Sequence, residues 1–493
     1  MRIKGTAALI GAFVAMLGAV ELARAADGAS TEDRPATSAP DQADSQAPAT
    51  AEAAAPPSSV SAPEDAEALR RRIQALEEEI ARLKSESAGV ADIQKRLTAL
   101  EAELGRLKQE HTGGVVASET HSVNGLSPSA SRVYLTKRGL ALGGYGSALY
   151  QRFTAHRDND TDANVPDRAD LTEAFVYVGY RFDDRLLFNS SFGVEHALVE
   201  DGSDGDAAVE FAYVDFRQRK QLGWRGGLLL MPVGWVNERH EPNDYLGTRR
   251  PFVEQRILPS TWRGVGAGAY GEAGPVEWRG YVVESLDASG FTAVEGVAGG
   301  RQQGSNALAE DMAFTARADW RPLRGKGIGD LVLGASGFVG RTGQQQANFP
   351  PGRLTLWDAH AEYRWRGFQA RALYAQGILG DAGEISLAID PTGQTAIGEK
   401  LDGLYLEMGY DVLSTWPKSK QDLIFFCRFE NLDTEQEVAS GLATTPLADL
   451  TVKTCGIQYA PIKQVVIKAD ATNYSDPDEQ EVDQVNLGLG WNF

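Results

Sequence analysis

The stretch from 233 to 262 holds a set of side chains suited to binding charge: Arg239, His240, Arg249, Arg250 and Arg256, with Arg263 at its exit. A guanidinium is planar, stays charged at any physiological pH and matches the oxygens of phosphate or carboxylate. A ring of them around a narrow passage would draw anions through it. Glu238, Glu241, Asp244 and Glu254 share the stretch, so a surface loop whose charges pair internally is the competing reading. Irregular runs of this length in compact folds are usually functional, which favours a constriction.

Other patterns point away from catalysis. The chain has no Gly-x-Ser-x-Gly, His-Glu-x-x-His or Gly-Lys-Ser motif, so an enzyme is not expected. Gly266-Ala267-Gly268-Ala269-Tyr270-Gly271 matches a dinucleotide fingerprint in letters only, since no helix follows it. Asp158, Asp160 and Asp162 have calcium-loop spacing, but Ala163 and Ala169 stand where Gly and Glu are needed. Asp201, Asp204 and Asp206 are similar, and solvated loop charge explains both sets. No metal and no cofactor are expected. Cys427 and Cys455 are the only cysteines, and a cross-strand disulfide and two unpaired thiols both remain open.

The arginine stretch needs a scaffold, and the chain's last residues show its kind. Val485, Leu487, Leu489, Trp491 and Phe493 alternate with Gln484, Asn486, Gly488, Gly490 and Asn492, giving one apolar and one polar face. The length suits one tilted crossing of a bilayer, with an aromatic pair at the interface. Sixteen strand-like segments follow one another from Leu140 onward: about 139–155, 171–181, 186–196, 206–217, 222–232, 263–272, 275–286, 310–321, 329–341, 354–365, 368–379, 400–412, 420–431, 449–460, 463–474 and 483–493. Short connections at Asp183-Asp184, Arg219-Lys220, Glu272-Ala273-Gly274, Arg366-Gly367 and Ala460-Pro461 alternate strictly with long polar ones. The fold class is therefore all-β, a sixteen-stranded antiparallel transmembrane β-barrel with both barrel termini on the short-turn, periplasmic side.

Alternation also assigns faces. A charge on the lipid face costs about 2–4 kcal/mol at the midplane, so ionised residues must face the lumen. That places Arg279, Arg317, Asp319, Asp358, Glu362, Arg364, Arg371, Glu407, Asp411, Lys468 and Asp470 on the inner wall, which should then be water-filled. The segments near 139–155, 171–181 and 206–217 alternate too poorly for their faces to be read. Net charge is -20, which disfavours nucleic acid as a partner.

Ahead of the barrel, residues 1–25 read as an export signal: Arg2 and Lys4, an apolar run from Ala7 to Val20, then Ala23-Arg24-Ala25. Residues 26–64 are an Ala/Pro-rich spacer expected to stay disordered. Over 65–110, Leu69, Ile73, Leu76, Ile80 and Leu83, then Ile93, Leu97, Leu100, Leu104 and Leu107, step by four and three, the seam of a periplasmic coiled coil. It implies an oligomer and leaves dimer or trimer open. Residues 111–138 read as a second linker, and 139–493 as the barrel.

The stretch MPVGWVNERHEPNDYLGTRRPFVEQRILPSTWRGVGAGAYG from Met231 to Gly271, with FAYVDF at Phe211 to Phe216, resembles the bacterial outer-membrane phosphate-selective porins O and P. The resemblance covers about residues 139–493. It implies a sixteen-stranded homotrimer whose third long loop folds into the lumen, with basic side chains guiding small anions. The expected function is passive diffusion of small hydrophilic solutes across a bacterial outer membrane, with anion preference. The alternatives are a non-selective or cation-preferring porin, or an envelope tether whose coiled coil binds a periplasmic or cell-wall partner.

Overall fold

A computed structural model describes residues 74, 75, 78, 122–197, 205–416 and 419–493. The export signal and spacer lie outside the described residues, as does the coiled coil apart from Gln74, Ala75 and Glu78, which are helical. The sixteen strands are β1 (Gly139–Phe153), β2 (Arg168–Arg181), β3 (Leu186–Glu195), β4 (Asp206–Arg219), β5 (Leu222–Leu230), β6 (Arg263–Ala273), β7 (Val276–Glu284) and β8 (Met312–Trp320). They continue as β9 (Asp330–Arg341), β10 (Arg353–Trp365), β11 (Phe368–Leu379), β12 (Lys400–Asp411), β13 (Asp422–Glu437), β14 (Asp449–Ile462), β15 (Val465–Ser475) and β16 (Gln484–Asn492). Each pairs antiparallel with its sequence neighbours, and β16 returns to β1 to close the cylinder. Tyr145 faces Asn492 across that seam, and Gly144 and Phe493 exchange two backbone hydrogen bonds of 3.0 and 2.9 Å. Two helices are short: α1 (Arg132–Leu135) precedes β1, and α2 (Ala382–Ile389) sits between β11 and β12.

The outer wall is apolar. On β8, Phe314 and Trp320 point outward while Thr315, Arg317 and Asp319 are buried inside. On β12, Leu404, Leu406, Met408 and Tyr410 face out while Tyr405 and Glu407 face in. Outward aromatics gather at the strand ends that carry short turns, among them Tyr180, Phe216, Trp224, Trp320, Trp365 and Phe425, the girdle expected at one membrane interface. Among the described residues no helix is long and apolar enough to cross a membrane.

Three details depart from the sequence reading. The turn between β14 and β15 falls at 463–464 rather than Ala460-Pro461, and β13 runs on to Glu437. The strict short and long alternation blurs: 321–329 and 412–421 lie on the short side yet are longer than the shortest long-side loop, 476–483. The third is the interior. The inner faces of β1, β2 and β4 carry Tyr145, Phe175, Tyr177, Phe211 and Tyr213, all buried in one apolar cluster. Those strands are apolar on both sides, which erases alternation. The register also shifts beside Thr172 and beside Glu210, so that Glu210 and Phe211, adjacent in sequence, are both buried.

The wall charges do not line an open tube. Arg279, Arg317, Asp319, Asp358, Glu362, Arg371, Glu407, Lys468 and Asp470 are each 7% exposed or less. The expectation of a wide water-filled lumen is corrected here at the level of these residues. What covers them is the chain itself: the β5–β6 connection over 231–262, and residues 122–136 ahead of β1.

Candidate pore constriction

The β5–β6 connection turns inward because the wall binds its backbone. Glu254 holds the bend: one carboxylate oxygen accepts from the Trp235 and Val236 amides (2.6 and 2.5 Å), and the other accepts from the Tyr405 hydroxyl of β12 (2.7 Å). Gly234 lies beside it with φ +66°, and a Cβ there would come 2.6 Å from Glu254 Oε2. Only glycine fits that conformation and that space together. Trp235, 3% exposed, is surrounded by the guanidinium carbons of Arg239, Arg317 and Arg371 at 5.1, 5.6 and 5.4 Å from ring centroids.

The charged wall residues dock the rest. Asp358 accepts from the Gly234 amide (3.0 Å), and Arg317 donates to the Gly234 carbonyl. Arg371 donates to the Asp244 carbonyl (2.7 Å), Lys468 to the Tyr245 and Gly247 carbonyls (2.9 and 2.7 Å), and Asp470 accepts from the Thr248 amide (2.6 Å). Arg279 binds Glu238 of the loop at 2.6 Å and lies 3.4 Å from Asp319, which also pairs with Arg317 at 2.8 Å. Glu362 takes Arg371 at 2.9 Å, and Glu407 takes Arg428 at 3.2 Å. Arg364 differs: its side chain is 51% exposed, near the short-turn end of β10, although it reaches Glu362 at 2.7 Å.

The loop's own arginines have unequal partners. Arg250 pairs with Glu173 of β2 at 2.9 Å, and Arg256 lies 3.6 Å from Glu295. Arg239 donates to the Gly125 carbonyl at 3.1 Å and makes no ion pair among the described residues. Arg249 rests over the Phe252 ring at 5.4 Å and likewise has no carboxylate within ion-pair distance among them. The Nε of Arg263 is buried without a hydrogen-bond partner among the described residues. His240 Nε2 sits 3.0 Å from Glu210 Oε1; burial opposes the charged imidazolium, and the Glu210 carboxylate outweighs that, holding the pKa above its ordinary value. Burial, then the neighbouring Asp244 charge, push the Glu241 carboxyl up to about 8.

Residue reading missed several partners: Glu173, Glu210, Asp215, Arg225, His360, Arg428 and Glu430. Arg428 and Glu430 alternate with outward Cys427 and Phe429, so their face was readable. Glu210 sits in a register shift and gives no such signal. Cys427 and Cys455 face each other across β13 and β14 on the outer wall and are joined in a disulfide.

A closed antiparallel cylinder with an oily outer wall, a charged inner wall and a loop bound across its interior defines the class of sixteen-stranded transmembrane β-barrels. No family model matches the chain. An uncharacterized protein of Aquifex aeolicus (strain VF5) is 33% identical over 377 residues, covering 75% of this chain and 83% of that protein. The chain belongs to the family of that protein. Among solved structures, the chain is similar to outer-membrane expressed OmpT of Vibrio cholerae (TM-score 0.44, 10% identity, 72% of this chain and 97% of that one). It is also similar to the outer membrane channel DcaP of Acinetobacter baumannii (0.45, 13%, 72% and 97%) and a BenF-like porin from Pseudomonas fluorescens (0.41, 9%, 72% and 98%).

Proposed function

We propose that the chain is a passive diffusion channel of a bacterial outer membrane, taking small hydrophilic solutes with a preference for anions such as phosphate, and assembled as a homotrimer. The β5–β6 loop sets the constriction. One observation supports the preference: Arg239 and Arg249 keep guanidinium groups without a carboxylate partner among the described residues, whereas Arg250, Arg279, Arg317, Arg371 and Arg428 are each neutralised by an acid. An unpaired fixed cation beside a narrow path attracts anions more than a paired one. Glu241, whose raised pKa keeps it protonated near neutrality, adds little opposing charge. The test is the reversal potential of the purified protein in a salt gradient across a planar bilayer. An anion-selective value supports the reading, and a cation-selective one removes it.

A further inference from the structure

Residues 122–136 precede the first strand, yet they lie inside the cylinder. Ser127, Ser131 and Val133 are 1%, 0% and 1% exposed. The segment is folded on itself: the Ser131 hydroxyl accepts from the Val123 amide at 3.0 Å and donates to the Ser127 carbonyl at 2.8 Å. At the rim, Arg181 donates to the Thr136 carbonyl at 2.6 Å. Further in, Tyr134 donates its hydroxyl to Asp215 at 2.7 Å and accepts from Arg225 at 2.9 Å. Deepest, the Gly125 carbonyl takes the Nε of Arg239, and a Cβ on Gly125 would come 2.6 Å from Arg279 and 3.1 Å from Glu238. The segment therefore reaches from the short-turn rim to the constricting loop. The wall is bare where it presses: a Cβ on Gly179 would lie 2.6 Å from Val133 Cβ, and one on Gly143 would lie 2.9 Å from the Ser129 carbonyl.

We infer that residues 122–136 are a built-in plug, and that the structure is the occluded state of a pore that opens when the plug is withdrawn toward the short-turn side. This rests on the channel reading. The plug is held by hydrogen bonds that water can replace and by the burial of Leu126, Ala130, Val133 and Tyr134, and it adds no strand to the sheet, so leaving costs the barrel no ladder bond. It is covalently continuous with residues 1–121, so binding or tension on that extension acts on the plug directly. Withdrawal also frees the Arg239 guanidinium from Gly125, so conductance and anion preference should rise together.

Single-channel recording in planar bilayers compares the full chain, a form lacking residues 122–136, and Gly179→Leu. Gly179 is not among the residues with positive φ, so leucine there adds no backbone strain and wedges against Val133. The expected result is a several-fold larger conductance in both variants, with the reversal potential moved to the anion side. Equal conductance in all three forms, or a smaller one in the variants, overturns the plug and leaves the channel reading standing. Silence in all three, with heat-modifiable electrophoretic mobility showing folded barrels, overturns both.

Discussion

Asp215 is wholly buried and is met by three donors at once: Arg225 Nε at 3.1 Å, the Tyr134 hydroxyl at 2.7 Å and the Tyr270 hydroxyl. Removing one partner of such a pair leaves a charge with no water to screen it, at a cost of about 3–5 kcal/mol. Arg225→Met should lower the unfolding free energy in lipid vesicles by that amount, and Asp215→Leu on top of it should restore most of the loss; a double variant as weak as the single one contradicts the pairing account. Glu241 carries the pH dependence. Above about pH 4.5 an unfolded chain has released this proton while the folded loop still holds it, so loop stability falls as pH rises toward about 8 and levels off beyond. The charge that then appears opposes anions, so the reversal potential should move to the cation side through about pH 8, and Glu241→Gln should abolish that step. The residue types of the candidate constriction were legible, since Arg249 and Arg250 stand together in a long loop. Their partners were not, because Glu173 lies 77 residues from Arg250 and Gly125 lies 114 from Arg239. Spacing in sequence carries no trace of a contact made only by closing a cylinder.

At the scale of elements, the strands were readable wherever one face meets lipid and the other is charged, as on β8, β10 and β12. They were unreadable where the interior is itself apolar, as on β1, β2 and β4, because hydrophobic periodicity reports a difference between faces and there is none. The described part of the polar run ahead of β1, residues 122–138, was opaque for a related reason: a serine-rich stretch looks solvated, yet Ser127 and Ser131 are buried, and the Ser131 hydroxyl donates to the Leu126 and Ser127 carbonyls inside the segment. The bend of the β5–β6 loop at 234–236 is held by the Glu254 carboxylate, so Glu254→Ala is the sharpest test of its rigidity. Two amides and the Tyr405 hydroxyl would lose their acceptor, at about 1–3 kcal/mol for each buried donor left unmet. Faster amide exchange over 231–262 and noisier single-channel current are expected, with exchange in the strands unchanged. Retained protection across the loop would show that the wall's arginines hold it without Glu254.

For the molecule as a whole, the Cys427–Cys455 disulfide spans a sequence separation of 28 on strands already paired through their backbones. Loop-closure entropy gives it about 3–4 kcal/mol against unfolding, and because it faces lipid it should leave conductance alone. Reduction should therefore shift the urea midpoint without changing the current. The seam between β1 and β16 has a different consequence. Its second half is the last of the sixteen strands in chain order, so until β16 arrives the sheet carries two raw edges of unmet amides and carbonyls in a solvent that offers them nothing. A chain that stops short of β16 is thus a sheet with an open lip, and cellular proofreading needs to recognise nothing more than that lip to discard it.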